Sequence, residues 1–185
     1  EGECHLLFQK RAPHIQQGGE ICFPGGRYDP RQDTSSEETA LRETVEELGI
    51  AREHIRILGR SETVFSHQGL AIDPFVGVLE IADLDELCID PNEVAQVFLL
   101  PMTYFEQNAP AEYQVRVEVQ PSYIDEHGEE HILLPAKDLG LPARYAKPWG
   151  GRRHRVLVYP TPGVPIWGLT AGMIYNLVQK LQAAS

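Results

Sequence analysis

The stretch that decides the fold is residues 25–50, GGRYDPRQDTSSEETALRETVEELGI. A helix advances about 100° per residue, so a helix over residues 36–48 places three carboxylates within about a third of its circumference and its apolar side chains opposite. The carboxylates belong to Glu43, Glu46 and Glu47, and the apolar side chains to Leu41, Val45 and Leu48. The pattern therefore predicts an amphipathic helix with one buried face and one acidic face, preceded by a glycine turn.

The acidic face predicts a bound divalent cation. Like charges three or four positions apart destabilise an isolated helix, so their concentration needs a compensating charge. Carboxylate oxygens on a rigid helix are ligands that suit Mg²⁺ or Mn²⁺. Glu43 and Glu47 are the predicted anchors, with Glu46 and the backbone carbonyl of Gly25 completing the ligand set directly or through water. The alternative, a solvated acidic surface, does not account for the glycine turn beside it.

Local signals mark both ends of this helix. Thr34, Ser35 and Ser36 are candidate N-caps, and Ser35 with Glu38 fits a capping box. Gly49 follows the last apolar residue and predicts a left-handed C-cap.

The run Arg42-Glu43-Thr44-Val45-Glu46-Glu47-Leu48-Gly49, with the glycine turn before it, resembles the signature of the Nudix hydrolases, Arg-Glu-x-x-Glu-Glu-x-Gly. In the common form of that signature a further Glu lies eight positions before the Arg. Here that position holds Thr34, with Asp33 beside it. The resemblance implies a magnesium-dependent hydrolase of a nucleoside diphosphate linked to another group.

Further segments resemble the coenzyme A pyrophosphatase branch of that family: LLFQKR at 6–11, GEICFPGG at 19–26 and IWGLTA at 166–171. This resemblance implies cleavage of the pyrophosphate in coenzyme A or its derivatives, giving 3′,5′-ADP and 4′-phosphopantetheine or its acylated form. Two alternatives remain open. One is a Nudix hydrolase of another compound, such as ADP-ribose, a dinucleotide or a nucleoside triphosphate. The other is a catalytically silent nucleotide-binding protein of the same fold.

Four residues are predicted to be catalytic. Glu93 precedes a strand where related enzymes often place an extra carboxylate, and we predict a ligand or general-base role, with an exposed loop acid as the alternative. Glu46 is the other candidate to take a proton from the attacking water. Glu47 anchors the metal, and the bidentate fork of Arg42 is expected to orient a neighbouring carboxylate.

Basic and aromatic residues near the glycine turn are candidates for substrate binding: Arg11, Arg27 and Phe23, with Lys10 and Arg31 competing for a phosphate. A second basic concentration is a candidate to contact the 3′-phosphate of coenzyme A: Arg144, Lys147, Arg152, Arg153 and Arg155. Tyr145 and Trp149 nearby are candidates to stack on adenine. Surface charge and aromatic packing are the alternatives there. His67 is a loop residue that could reach the substrate, with an ordinary surface histidine as the alternative. The segment from His127 to His131 resembles a zinc-ligand set, but Gly128 indicates a hairpin whose histidines share no helical face, so we predict no zinc site.

Charge and composition narrow the function classes. With 27 acidic and 16 basic residues the chain has a net charge of −11, which argues against general nucleic-acid binding. A phosphate-rich substrate would be repelled unless bound cations reverse the local field. No apolar run reaches membrane-spanning length, so no membrane partner is predicted. Three cysteines without paired metal spacing suggest a reducing compartment, and we expect a cytoplasmic protein.

The chain is predicted to form one domain over residues 1–185, because no Ser/Gly/Pro-rich linker divides it. A homodimer is left open. We also expect native residues before Glu1, since the chain starts without methionine, directly before a predicted strand.

Strand and helix patterns alternate along the chain and favour an α/β (α+β) class, with a mixed sheet sandwiched between helices. The predicted strands are 4–9, 20–23, 55–64, 71–79, 94–100, 113–120, 130–134 and 153–159. The predicted helices are 36–48, 101–107 and 168–184. We expect 130–134 to pair with 113–120 across a turn at 125–128. The last helix should bury a stripe comprising Leu169, Met173, Leu177 and Leu181.

Overall fold

The structure, a computed structural model, describes residues 2–66 and 69–184. Its helices are α1 (Ser36–Leu48), α2 (Met102–Gln107) and α3 (Gly168–Ala184). Its strands are β1 (His5–Arg11), β2 (Ile21–Cys22), β3 (Ile55–Arg60), β4 (Val64–Phe65), β5 (Ala71–Ile72), β6 (Phe75–Leu79), β7 (Val94–Pro101), β8 (Ala111–Val119), β9 (Ser122–Ile124), β10 (Glu130–Ile132), β11 (Trp149–Tyr159) and β12 (Ile166–Trp167). These elements confirm the predicted α+β class.

Helix α1 begins and ends at the predicted residues because both caps form. The Ser35 hydroxyl accepts the backbone N–H of Glu38 at 3.2 Å. At the other end Gly49 is left-handed, with φ 61°, and its N–H donates to the Val45 carbonyl at 2.9 Å. A Cβ at Gly49 would also collide with the carbonyl oxygen of Cys88. The Glu38 carboxylate accepts from Arg52 at 2.7 Å, so the structure shows the Ser35 half of the predicted capping box.

The chain divides into two compact units, Glu1–Ala111 with Leu157–Ser185, and Glu112–Val156. In the first unit β1 is the central strand of an antiparallel sheet, between β2 and β7. Strand β3 pairs with β6, β4 with β5, and the last residues of β11 with β12. The single domain expected over residues 1–185 stays a prediction.

The main core lies on one face of the central sheet. Phe8 on β1 is fully buried, and its ring packs against those of Phe23, Phe98 and Phe105 at centroid distances of 5.1, 5.6 and 5.8 Å. Side chains of α3 complete this core. Burying an aromatic or aliphatic side chain of this size contributes about 1.5–3 kcal/mol, so this face holds α3 and α2 on the sheet.

The face of α3 that is buried differs from the predicted one. The buried side chains are Thr170, Ala171, Ile174 and Val178. Leu181, at the end of the predicted stripe, is 44% exposed. Small residues at the start of the helix allow close approach to β2, where the Thr170 hydroxyl donates to the Ile21 carbonyl at 3.1 Å. The buried stripe is thus displaced by one position from the predicted one, although Leu177 of the predicted stripe still packs against the core.

In the second unit the predicted pairing of 130–134 with 113–120 is wrong. Strand β10 pairs with β9, with Glu130 opposite Ile124, and β8 is bonded to β11 instead. The reason is the turn between β9 and β10. The Asp125 carboxylate accepts the N–H groups of His127 and Glu129, both at 2.9 Å, and closes a short local hairpin.

Among the helices formed by the described residues, none combines the length and the apolar character that crossing a bilayer requires.

Candidate metal centre and active site

The loop between the glycine turn and α1 is organised by Asp33, whose side chain is almost fully buried. Its carboxylate accepts both Nε and Nη2 of Arg42, at 2.8 and 3.0 Å. It also accepts the Thr39 hydroxyl at 2.9 Å and the backbone N–H of Asp29 at 2.8 Å. The bonds from Arg42 hold the pKa of Asp33 well below its usual range. Asp33 therefore fixes the Arg42 side chain along one side of α1.

Arg42 in turn contacts two carboxylates of its own helix. Its Nη1 lies 2.8 Å from Glu43 Oε1 and 3.0 Å from Glu46 Oε2. The hydrogen bonds to Asp33 and Glu43 raise the pKa of Arg42. The permanently charged Arg42 guanidinium thus bridges Asp33 and Glu43 and restrains the Glu43 carboxylate.

Three carboxylates converge beside this arginine: Glu43, Glu47 and Glu93 each place one oxygen within 4.8 Å of the others. Glu43 and Glu47 lie one helical turn apart, and Glu93 comes from the loop before β7. The cluster does not include Glu46, whose side chain is 55% exposed and directed to Arg42. The predicted metal and catalytic roles of Glu46 stay predictions.

Glu47 is the most buried member of the cluster, at 3% exposure. Its Oε2 accepts the Gly25 N–H at 2.9 Å. Burial raises the pKa of Glu47 to about 7; Glu43 and Glu93 add to the rise, whereas the hydrogen bonds from Gly25 and Gln9 oppose it. Burial likewise raises the pKa of Glu43, against the lowering effect of Arg42. The predicted division of α1 into an apolar and an acidic face is thus incomplete, since Glu47 is buried together with Leu48.

Backbone hydrogen bonds bring Glu93 to the end of α1. The carbonyls of Glu47 and Leu48 accept the N–H groups of Asp90 and Cys88, both at 3.0 Å. The Glu93 carbonyl accepts the N–H of Ala12 at 2.8 Å. The loop before β7 is therefore bound on one side to α1 and on the other to the end of β1.

The glycine turn packs directly against the cluster. A Cβ at Gly26 would overlap the Glu43 carboxylate, and Gly25 has a φ of 151°, in the region that favours glycine. Gly26 is thus favoured because a side chain would not fit there, and Gly25 because of its backbone conformation. The turn can therefore pack closely against the carboxylates. A metal-ligand role for the Gly25 carbonyl stays a prediction.

The donor chemistry of this cluster fits a hard divalent cation. Three carboxylates at this separation repel one another, and partial burial strengthens the repulsion. Oxygen donors of this kind bind Mg²⁺ and Mn²⁺ together with waters and substrate phosphates. Glu43, Glu47 and Glu93 are the residues that would hold such an ion.

The predicted substrate-binding residues are placed around β1 and the glycine turn. Arg11 Nε donates to the Gln16 carbonyl at 3.0 Å, and the Arg27 carbonyl accepts from Arg42 at 3.2 Å. Phe23 stacks on Phe8 in the core. Arg31 pairs with Asp29 and lowers the pKa of that carboxyl to about 2. Their contacts with substrate stay predictions.

The second basic concentration lies in the unit Glu112–Val156. Arg155 pairs with Glu112 at 2.8 Å, and Arg144 lies over the ring of Tyr145 at 4.8 Å. Tyr145 and Trp149 meet edge to face at 5.3 Å. These contacts agree with the alternative of local packing. His67 lies outside the described residues.

The hairpin of β9 and β10 contains another group of potential ligand atoms. Asp125, Glu129 and His131 place one such atom each within 4.8 Å of the others. His131 Nε2 lies 2.8 Å from Asp125 Oδ2, and its ring stacks on Tyr123 at 5.0 Å. The ion pair and the ring stacking are contacts within the hairpin, and they explain why these side chains lie close together. His127 is not part of the group.

Two residues near the carboxylates had no predicted role in the sequence. Asp33 lies one position from the glutamate of the common signature, and its spacing to Arg42 is the signal that could have identified it. Gln9 lies on β1, where Phe8 faces the main core and Gln9 the opposite face, and it is 1% exposed. A polar residue at a buried strand position is the corresponding signal.

Comparisons with known proteins agree with this geometry. The family model described as "NUDIX domain" matches residues 1–144. The chain belongs to the Nudix family. Its α+β arrangement, with the acidic helix α1 after a glycine turn, is the Nudix fold, and membership supports pyrophosphohydrolase chemistry on a small-molecule substrate.

The relatives differ in how much of each protein is shared. Nudix hydrolase 3 of Caenorhabditis elegans is 39% identical over 105 residues, covering 55% of this chain and 43% of that protein. The uncharacterized Nudix hydrolase NudL of Yersinia enterocolitica is 31% identical over 179 residues, 95% of this chain and 73% of that protein. The mouse peroxisomal coenzyme A diphosphatase NUDT7 is 34% identical over 107 residues, 56% of this chain and 43% of that protein. The chain thus spans less than half the length of two of these relatives.

Among solved structures, a binary complex of a C. elegans Ap4A hydrolase aligns with a TM-score of 0.46 at 21% identity. The aligned region covers 55% of this chain and 72% of the Ap4A hydrolase chain.

Proposed function

We propose that this protein hydrolyses the pyrophosphate bond of coenzyme A or a derivative, using Mg²⁺ or Mn²⁺ held by Glu43, Glu47 and Glu93. The observation that carries the proposal is the convergence of these three carboxylates within 4.8 Å beside the Gly25 turn. The products would be 3′,5′-ADP and 4′-phosphopantetheine or its acylated form.

The choice of coenzyme A as substrate rests on similarity. The segments 6–11, 19–26 and 166–171 resemble the coenzyme A branch, and the mouse relative is named a coenzyme A diphosphatase. A cytoplasmic location and a homodimer stay predictions.

The residues of the chain divide the chemistry among them. When bound, the cation would neutralise negative charge on phosphoryl oxygens and lower the pKa of the attacking water. Glu43 and Glu47 would hold the cation from one face of α1, and the ion pair with Arg42 restrains the Glu43 carboxylate. In hydrolysis a P–O bond to the water oxygen forms, the bridging P–O bond breaks, and a carboxylate takes the proton from the water.

Glu93 and Glu46 are the candidates to accept that proton. Glu93 belongs to the carboxylate cluster and is exposed to solvent, whereas Glu46 lies outside it and pairs with Arg42. The variants Glu46→Gln and Glu93→Gln distinguish them, because loss of the base removes the rise of kcat on the acidic side of the pH profile, whereas loss of an ion pair lowers kcat evenly across the profile.

The test of the function is a product-resolved assay on coenzyme A with and without Mg²⁺. We expect 3′,5′-ADP to appear only with the metal, and Glu47→Gln to abolish turnover while the circular dichroism spectrum is unchanged. If ADP-ribose, a dinucleotide or a nucleoside triphosphate is hydrolysed faster than coenzyme A, that compound and not coenzyme A is the substrate. Tight coenzyme A binding without metal-dependent product release would favour the silent binding protein.

A further inference from the structure

Strand β8 is the longest edge strand in the part of the chain that the structure describes. It has nine residues, Ala111–Val119, and its sheet has the order β12-β11-β8. One side of β8 is therefore bonded to β11, and the other side meets no strand among residues 2–66 and 69–184. Such an edge is a template for pairing with another chain, and β8 contains neither the proline nor the lysine that commonly protects one.

One face of β8 is apolar and open to solvent. Tyr113, Val115 and Val119 expose between 48% and 59% of their surface. They occupy alternate positions, so their side chains leave the strand on the same face. Aromatic and β-branched residues stabilise a sheet by packing against the residues opposite them on a neighbouring strand. The open side of β8 therefore lacks the apolar neighbours that a further strand would supply.

The other face of β8 carries charges of alternating sign. Glu112 pairs with Arg155 at 2.8 Å, and Arg116 pairs with Glu118 at 2.6 Å. The Arg116 side chain is still 71% exposed. This face therefore has room for further ion pairs with a strand of matching charge.

A second copy of β8 has that matching charge. If two copies run antiparallel about a two-fold axis at Gln114, Arg116 of each copy lies opposite Glu112 of the other. The same register sets Tyr113 opposite Val115 on the apolar face and Gln114 opposite its own equivalent. The ion pairs within each copy would then join across the axis into one row of alternating charge.

Other registers fit less well. An axis at Val115 sets Glu112 opposite Glu118, and an axis at Arg116 sets two guanidinium groups opposite each other. Like charges directly opposite each other destabilise a strand pair. An axis at Val117 also opposes Arg116 and Glu118, but it pairs only residues 115–119 within the strand, whereas the axis at Gln114 pairs residues 111–117.

We propose that β8 pairs edge to edge with β8 of a second copy of this chain, antiparallel about Gln114, and that the protein forms a two-fold symmetric dimer through this contact. Main-chain hydrogen bonds would supply affinity, and the opposed charges would fix the register. A closed two-fold pair also uses up both open edges, which limits further association. This interface is independent of the proposed reaction.

The test is sedimentation velocity at about 1–100 µM protein, the range in which a small interface dissociates. We expect wild type to approach a mass of twice 20.8 kDa as its concentration rises. Glu112→Lys and Arg116→Glu each set like charges opposite each other at both ends of the pairing. Each should raise the Kd of the dimer at least about tenfold.

Mixing these two variants distinguishes pairing from a general loss of structure. In a mixed pair the new lysine faces the new glutamate, and Arg116 of one chain faces Glu112 of the other. An equimolar mixture should therefore regain the wild-type dimer mass, although neither variant does so alone. Glu126→Lys is the matched control, because it makes the same charge change at a side chain that is 87% exposed in the turn after β9, and it should leave the dimer unchanged.

Four results would overturn the proposal. The first is a wild type that stays monomeric throughout the range, and the second is a dimer that survives both substitutions, which would lie on another surface. A dimer that is lost in Arg116→Glu and kept in Glu112→Lys would reject the axis at Gln114. Two folded variants that stay monomeric when mixed would show that the opposed charges do not hold the pair. None of these results bears on the cleavage of coenzyme A.

Discussion

The raised pKa of Glu47 makes the stability of the metal-free protein depend on pH. The pKa rises from 4.5 to about 7 on folding, and each pKa unit corresponds to about 1.36 kcal/mol. The difference of 2.5 therefore means that ionised Glu47 destabilises the folded state by about 3 kcal/mol. The folded state binds the proton more tightly than the unfolded state does. Stability from this group is therefore fully present below about pH 4.5 and is lost as the pH rises to about 7.

The perturbation that tests this is Glu47→Gln, which removes the ionisable group and keeps the shape. In EDTA, we expect the variant to gain up to about 3 kcal/mol relative to wild type at pH 8, and the gain to disappear at pH 4. The assay is urea unfolding at half-unit pH intervals. Taking the difference between the two proteins cancels groups such as Asp33, whose lowered pKa acts in the opposite direction.

Two controls accompany this measurement. Glu46→Gln removes the same charge one position earlier, from a side chain that is 55% exposed, and should give a much smaller change. Saturating Mn²⁺ should cancel the advantage of Glu47→Gln, because a ligand at 100 times its Kd stabilises wild type by about 2.7 kcal/mol. A stability difference between Glu47→Gln and wild type that stays constant from pH 4 to pH 8 would refute the reasoning.

Three other substitutions test the surroundings of the cluster. Gly26→Ala places a Cβ on the Glu43 carboxylate, so Mn²⁺ affinity measured by titration should fall at least about tenfold; an unchanged affinity would contradict the packing described. Asp33→Asn removes the charged partner of Arg42 and should lower kcat about 10–100-fold in steady-state assays, and a normal kcat would mean that Arg42 needs no anchor. Gly172→Ala adds a Cβ that meets nothing within 4 Å inside α3 and should stabilise the protein by about 1 kcal/mol in urea unfolding, without effect on metal binding; a loss of stability would argue against an open helical site.

The sequence predicted those features whose causes lie within a few residues of one another in the chain. Helix α1 was predicted to the residue because Ser35 and Gly49 act on groups within four positions of themselves. The pairing of β10 was wrong because the Asp125 turn closes a hairpin too short to reach β8. Strand β9 (Ser122–Ile124) was not predicted, and it is the strand with which β10 pairs.

The site shows the same division between local and distant causes. The spacing of Glu43 and Glu47 on one helix suggested a common cation, and the structure brings their oxygens together with that of Glu93. The burial of Glu47 was not visible in the helical pattern, because it is produced by residues far away in sequence. The burial of Gln9 was not predicted for the same reason, since the sequence of β1 alone does not show which residues cover that side of the strand.

The backbone bonds from Asp90 and Cys88 to the end of α1 also bear on how the centre assembles. Residues 25–50 carry two of the three clustered carboxylates, and the third arrives only after the chain has returned through β6 and the loop that follows it. A synthetic fragment of that stretch would be an incomplete half-site, however well its caps formed. Binding of the proposed ion would therefore require the completed tertiary structure, and metal uptake during refolding should lag behind the growth of the helical signal.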